Sequence, residues 1–143
     1  RVYRHIERRI GPAAYQLVPR IDQLVSTNLG PGLRCELIRD DDGGISVTLQ
    51  AYLARHGADG QLRAALSTFS RQWRALGMPS RRLLPANIVV QQGTRKPARL
   101  VVVDSLGWAD LVPLGYWFAP WARFRAGRKL RYLADLVADG ERK

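Results

Sequence analysis

The sequence holds one cysteine, one methionine and two histidines, and its 12 acidic residues are outnumbered by 23 basic ones. A lone Cys35 excludes an internal disulfide framework and fits a reducing cytoplasm, which is the compartment expected. His5 and His56 beside that single cysteine make no zinc set. Ser80 and Ser105 have no histidine in a recognisable nucleophile motif, and both the Walker lysine motif and the dinucleotide fingerprint are missing. Long hydrophobic runs are missing too. None approaches the roughly 20 residues that span a bilayer, and the aromatic-rich stretch 111–124 is broken by Pro113, Gly115 and Pro120. Residues 1–9 are basic and lead into no apolar core of the signal-peptide kind. The chain opens on arginine, which reads as a piece of a longer sequence.

What is present is the make-up of one soluble globular domain: 143 residues, 46% hydrophobic and 24% charged. The formal charge is +11, and 20 of the 23 basic residues are arginine. An excess of that size suits an anionic partner such as nucleic acid, phosphate, a membrane surface or an acidic protein. It also arises when guanidinium groups simply cover a solvated surface, and the arginines are scattered. The one dense cluster is Arg123, Arg125, Arg128, Lys129 and Arg131.

Local patterns divide the chain. Val2, Ile6 and Ile10 recur at helical spacing until Gly11-Pro12 stops them. Residues 21–26 and 33–39 read as a hairpin about a turn at 28–32, with Leu33, Cys35 and Leu37 on one face and Cys35 buried. The run Asp40-Asp41-Asp42-Gly43-Gly44 lacks an EF-hand's closing glutamate and reads as an Asx-type turn. Thr48 is the expected N-cap of a short helix ending at Gly57. A longer helix over 60–75 carries the apolar stripe Leu62, Leu66, Phe69, Trp73 and Leu76, which is core. The runs 88–90 and 100–103 form a second hairpin, too apolar to face water on both sides. Pro120 opens a last helix, to about residue 138, whose buried side is expected to be Trp121, Phe124, Leu133, Leu136 and Val137.

Asn87 leads into the first run of that second hairpin and Asp104 leaves the other. Antiparallel pairing therefore sets them side by side at one end. An amide oxygen beside a carboxylate suits magnesium, which takes few protein oxygens and fills its shell with phosphate and water oxygens. A kinase uses the same pair, in H-R-D-x-x-x-x-N and D-F-G. Pro85-Ala86-Asn87-Ile88-Val89-Val90 matches the end of such a catalytic loop. Asp104-Ser105-Leu106-Gly107 has its glycine one place later than D-F-G.

Further segments occur in a recognisable order: Val18-Pro19-Arg20, Thr27-Asn28-Leu29-Gly30-Pro31-Gly32-Leu33, Glu36-Leu37-Ile38-Arg39-Asp40, Asp42-Gly43, Thr48-Leu49 and Leu111-Val112-Pro113-Leu114. Together with the two loops they resemble the PhoP regulatory network protein YrbL family, over about residues 1–132. The resemblance implies a protein-kinase-like α+β fold, mainly its helical C-terminal lobe with two small β-hairpins, and a metal loop that tolerates the D-x-x-G spacing. Residues 1–42 would be a remnant of the small lobe and hinge, and 43–143 the large lobe, in a single domain whose N-terminal side is incomplete. The glycine-rich strands, strand lysine and helix glutamate of a complete member would lie upstream. Glu7, among Arg4, Arg8 and Arg9, reads as a solvated helix residue and not as that glutamate.

In the resemblance Asn87 and Asp104 would hold magnesium and ATP, and Ile38, Arg39 and Asp40 would form the hinge. Five residues before Asn87, where a kinase has its base, stands Arg82. A guanidinium stays protonated and cannot accept the hydroxyl proton. Arg81 and Arg82 could instead contact a phosphate, or be a solvated pair. The implied function is a pseudokinase-like regulatory or nucleotide- and metal-binding domain. The alternatives are an active phosphotransferase completed upstream, and a non-enzymatic binder of nucleic acid or an acidic partner through the 123–131 cluster.

Overall fold

The computed structural model describes residues 2–94, 98–104, 106 and 119–140. Helix α1, Val2–His5, runs into a wider π turn, Ile6–Ile10, which Gly11 closes by donating its N–H to the Ile6 carbonyl at 2.8 Å. Ile6 is fully buried in the main core, and a 3-10 turn over Pro12–Gln16 brings Leu17 and Val18 in behind it. The opening helix thus serves the main core.

Strands β1 (Ile21–Thr27) and β2 (Gly30–Cys35) form an antiparallel hairpin about a two-residue turn, Asn28-Leu29. Gly30, at φ +106°, takes the backbone bend that ordinary side chains resist. Asp22 and Arg34 pair across the strands, in water. The hairpin is its own sheet of two strands, and none of its residues is fully buried. Leu24 is 74% exposed and Leu29 93%. The expectation that Cys35 is buried is therefore wrong: its thiol is exposed, as are Leu33 and Leu37. Alternation of apolar residues marks a face of a strand, and here that face stays largely open to solvent. The strand also ends at Cys35, four residues short of the expected limit, because the chain turns inward to bury Ile38.

A second sheet carries the core. Its order is β3-β4-β5, with β3 at Val47–Thr48, β4 at Ile88–Gln91 and β5 at Arg99–Val102, all antiparallel. The short β3 is absent from the pattern reading, since two residues have no periodicity. Burial lies on both faces, as the apolar runs require. Ile88, Val90, Leu100 and Val102 enter the main core, while Val89 and Val101 pack with Ile38 on the opposite side. The outer edge of β5 is met by the Leu17 carbonyl, which accepts from the Val102 N–H at 2.8 Å.

Helix α2, Leu49–His56, starts where Thr48 Oγ1 accepts from the Ala51 N–H at 3.1 Å. Helix α3, Gly60–Leu76, buries Leu62, Ala65, Phe69 and Trp73 along one stripe. Its cap is Asp59: one carboxylate oxygen accepts from the Leu62 N–H and the other from the Tyr52 hydroxyl, both at 2.8 Å. The bond to Leu62 first, and the bond to Tyr52 second, hold the Asp59 carboxyl below its ordinary range. Burial, and then the same bond, push the Tyr52 phenol up to about 12.

Helix α4, Ala119–Gly140, packs on α3. Its buried positions are Ala122, Ala126, Leu133 and Val137, at spacings of one helical face. Trp121 and Phe124, expected inside, lie off this face and are exposed against each other with ring centroids 5.9 Å apart. Alanines stand at the contact because α3 ends there at close range. Gly77 has φ +61°, and a Cβ on it would sit 3.0 Å from the Ala122 Cβ.

Two outcomes follow. Gly77→Ala combines a left-handed backbone with a clash and should lower stability by about 2–4 kcal/mol, read as a urea midpoint shift at unchanged slope. For Asp59 the folded carboxyl is depressed, so its contribution is complete above the unfolded value of about 3.9 and is lost as pH falls through the lower folded value. Asp59→Asn keeps an N-cap and should flatten the acid limb of stability against pH in that window, measured by thermal unfolding.

Candidate functional site

The β4–β5 hairpin sets the geometry. A 3-10 turn, Pro85–Asn87, feeds β4, and the Asn87 N–H closes it on the Leu84 carbonyl at 2.9 Å. Ile88 is paired with Val102. One step beyond, the Val103 N–H donates to the Asn87 carbonyl at 2.9 Å, so main-chain pairing extends to the residue before Asp104. Asn87, half-buried, and Asp104, exposed, therefore occupy the same end of the sheet. Leu106 bridges to Ser80, which ties the stretch after Asp104 to the loop that carries Arg81 and Arg82. Ser105 and Gly107 of the expected metal loop, and the 111–114 segment after it, lie outside the described residues.

Tyr3 of α1 reaches this neighbourhood, and the sequence pattern did not single it out. Its phenol is pushed up to about 12, mainly by burial and then by the nearness of Cys35, Asp104 and Tyr15. Glu7 is exposed, as expected.

Arg81 and Arg82 are exposed and lean on α4. Lys129 Nζ donates to the Arg81 carbonyl, and Arg82 Nη2 lies 3.5 Å from the Tyr132 hydroxyl, the outer limit of a hydrogen bond. Arg123 Nε donates to the Ala75 carbonyl at 3.1 Å, at the open C-terminal end of α3. Two members of the 123–131 cluster, Arg123 and Lys129, thus hold main-chain carbonyls, while Arg128 and Arg131 are exposed and Arg125 is half-buried.

The expected hinge residues are committed internally. Ile38 is buried, and its carbonyl accepts from the Ser46 N–H at 3.1 Å. The Arg39 carbonyl accepts from Gln91 Nε2 at 2.6 Å, and Arg39 Nη1 donates to the Gly43 carbonyl at 2.8 Å. The Asp40 N–H donates to the Gly44 carbonyl at 2.8 Å. Asp40 Oδ1 accepts from the Ser46 hydroxyl at 2.6 Å and from the Gln92 N–H at 2.8 Å, joining this loop to the end of β4. Inside the loop Asp42 Oδ1 accepts from the Gly44 N–H at 2.8 Å, the expected Asx turn.

The PhoP regulatory network protein YrbL family matches the chain over residues 2–139. The chain belongs to that family. Two relatives, each described as "Uncharacterized protein YrbL", come from Escherichia coli (strain K12) and Shigella flexneri. Both are 30% identical to it over 138 residues, covering 93% of this chain and 64% of the relative. The chain thus spans less than two thirds of those relatives' length. No solved structure matches it. The architecture of this YrbL-family chain is α+β, with small antiparallel sheets and a predominance of helix. Among the described residues no helix is long and apolar enough to cross a membrane.

Among the described residues no group of three or more His, Cys, Asp or Glu converges on one point. Asn87 and Asp104 offer one amide and one carboxylate. That donor set fits an ion completed by phosphate and water oxygens, and does not fit a closed protein cage.

Asp40 is the residue whose loss should be felt most in the loop beside this sheet. Asp40→Ala strands the Gln92 N–H and the Ser46 hydroxyl and should cost about 2–4 kcal/mol, with faster hydrogen exchange at the Gln92 amide as the local readout.

Proposed function

We propose that this YrbL-family chain is a kinase-like domain of the pseudokinase type, binding a magnesium-complexed nucleotide for a regulatory purpose. The observation that carries the reading is the position of Asn87 and Asp104 at one end of β4–β5, where the Val103 N–H, one residue before Asp104, donates to the Asn87 carbonyl at 2.9 Å. The Asn87 amide oxygen and an Asp104 carboxylate oxygen are the groups that would hold the ion. When bound, such an ion would offset the charge of two phosphate groups.

Three features bear on what the residues then do. Arg82, at the base position, keeps its protons and cannot take one from an acceptor hydroxyl. Arg81 and Arg82 lie on the loop before Asn87 and bring positive charge to it. The backbone groups named for Ile38, Arg39 and Asp40 already have partners, so a base recognised by these hinge residues would use other groups of the same segment or displace those bonds. Binding is thus weighted to the phosphate end, and the reading is one of binding without transfer. The regulatory purpose rests on the family description, which ties its members to the PhoP network.

Isothermal titration with ATP in the presence and absence of magnesium tests this. Binding should require magnesium and should weaken by about tenfold or more in Asp104→Ala, the value of a charge-assisted contact. Purified protein should not turn ATP over. Magnesium-independent binding, or binding indifferent to Asp104→Ala, would remove the metal site. Steady turnover abolished by Asp104→Ala would point instead to an active phosphotransferase. Binding only to nucleic acid, falling steeply with salt, would favour the basic surface at 123–131.

A further inference from the structure

The far end of the same sheet holds a second feature, unrelated to magnesium. β4 and β5 finish and begin with the pair Gln91↔Arg99. Arg99 is three residues from Val102, so about 10 Å of strand separates it from the Asn87 end. A cavity of about 520 Å³ opens here between α3 and the sheet. That is within the range of small-molecule sites. Phe69 and Leu100 give it apolar walls, Thr68, Gln72 and Gln92 bring polar groups, and among the described residues Arg99 is the only cationic one lining it.

Arg99 is poorly provided for. Its Nε is buried and has no hydrogen-bond partner among the described residues. Nη1 reaches the Tyr15 carbonyl and Gln16 Oε1 only at 3.5 Å each. Among the described residues no carboxylate forms an ion pair with it, and Glu36 acts on it from a distance. Burial pulls its acidity in the direction of charge loss. A guanidinium taken from water without an anion is costly, and its planar N–H edge matches a carboxylate. Among the described residues the one acidic side chain lining the cavity, Asp41, already accepts from the Thr94 N–H at 3.1 Å. A carboxylate fixed there disfavours a doubly charged ligand over a singly charged one.

We propose that this cavity is a binding site for a small organic monocarboxylate, whose carboxylate meets the Arg99 guanidinium and whose apolar body lies against Phe69 and Leu100. It stands apart from the proposed nucleotide site and does not depend on it.

Sodium benzoate is a suitable probe, since its ring can use the apolar wall. Titration into the full chain, followed by ¹H–¹⁵N spectra of arginine side chains, should shift the Arg99 Nε–H signal saturably and raise the melting temperature. Arg99→Gln should weaken binding about tenfold or more, and Asp104→Ala should leave it unchanged. Gln72→Trp, at an exposed α3 position lining the cavity, should block benzoate without removing Arg99, which keeps the test intact if Arg99→Gln does not fold. The proposal is overturned if benzoate fails to saturate, or if its effect survives both Arg99→Gln and Gln72→Trp. It is also overturned if inorganic phosphate, and not benzoate, moves the Arg99 signal.

Discussion

The antiparallel pairing of β4 with β5 inside two apolar layers is the constraint from which the rest of the arrangement follows. Ile88, Val90, Leu100 and Val102 face the main core, and Val89 and Val101 face Ile38. A strand pair that is apolar on both faces has no polar side to betray a slipped register. The register here is held by main-chain partners outside the pair: Leu17 on the free edge of β5, β3 on the other side of β4, and Asn87 one step past the last pair. Each of these comes from a different part of the chain. The sheet therefore joins the opening segment, the loop before α2 and the loop before β4 at one place.

Polar side chains do their work where that sheet runs out. At one end the chain leaves with Asn87 and Asp104, and at the other Asp40 takes the Gln92 N–H and the Ser46 hydroxyl. A carboxylate accepting two hydrogen bonds in a half-buried place is a strong tether, because either donor left alone would lose its partner away from water. The loop 40–44 is thus tethered by groups outside its own acidic sequence. Arg99, beside it, is the contrary case of a half-buried cation whose Nε has no partner among the described residues.

The large positive charge has a structural share. Arg123 meets a carbonyl at the end of α3, where the helix dipole favours a cation. Lys129 meets the Arg81 carbonyl, and the Arg82 guanidinium touches Tyr132. These contacts dock α4 onto the loop that leads to Asn87. The docking surface itself includes small residues, with Ala122 against Gly77 and Ala126 buried one turn on, so two helices approach closely there. Trp121 and Phe124 lie off that face and are exposed.

The residues themselves determined whatever depends on neighbours along the chain. Thr48 caps α2 because a hydroxyl three residues ahead of a free N–H can reach it. The α3 stripe from Leu62 to Trp73 is buried because its spacing repeats the helical turn. Asn87 and Asp104 come to one end of a sheet because two adjacent apolar runs have a short connection and pair antiparallel. Tertiary structure alone decided what depends on a distant partner. The same alternation that marks a strand left Cys35 and Leu33 exposed, since a pattern names a face and not the element that covers it. β3 exists only because β4 pairs with it, and Trp121 lies outside because the face of α4 that meets α3 is the one carrying Ala122 and Ala126. Tyr3 near Asp104, Asp40 bound to Gln92 and Arg99 in its cavity join residues far apart in sequence, and such contacts form when the chain packs.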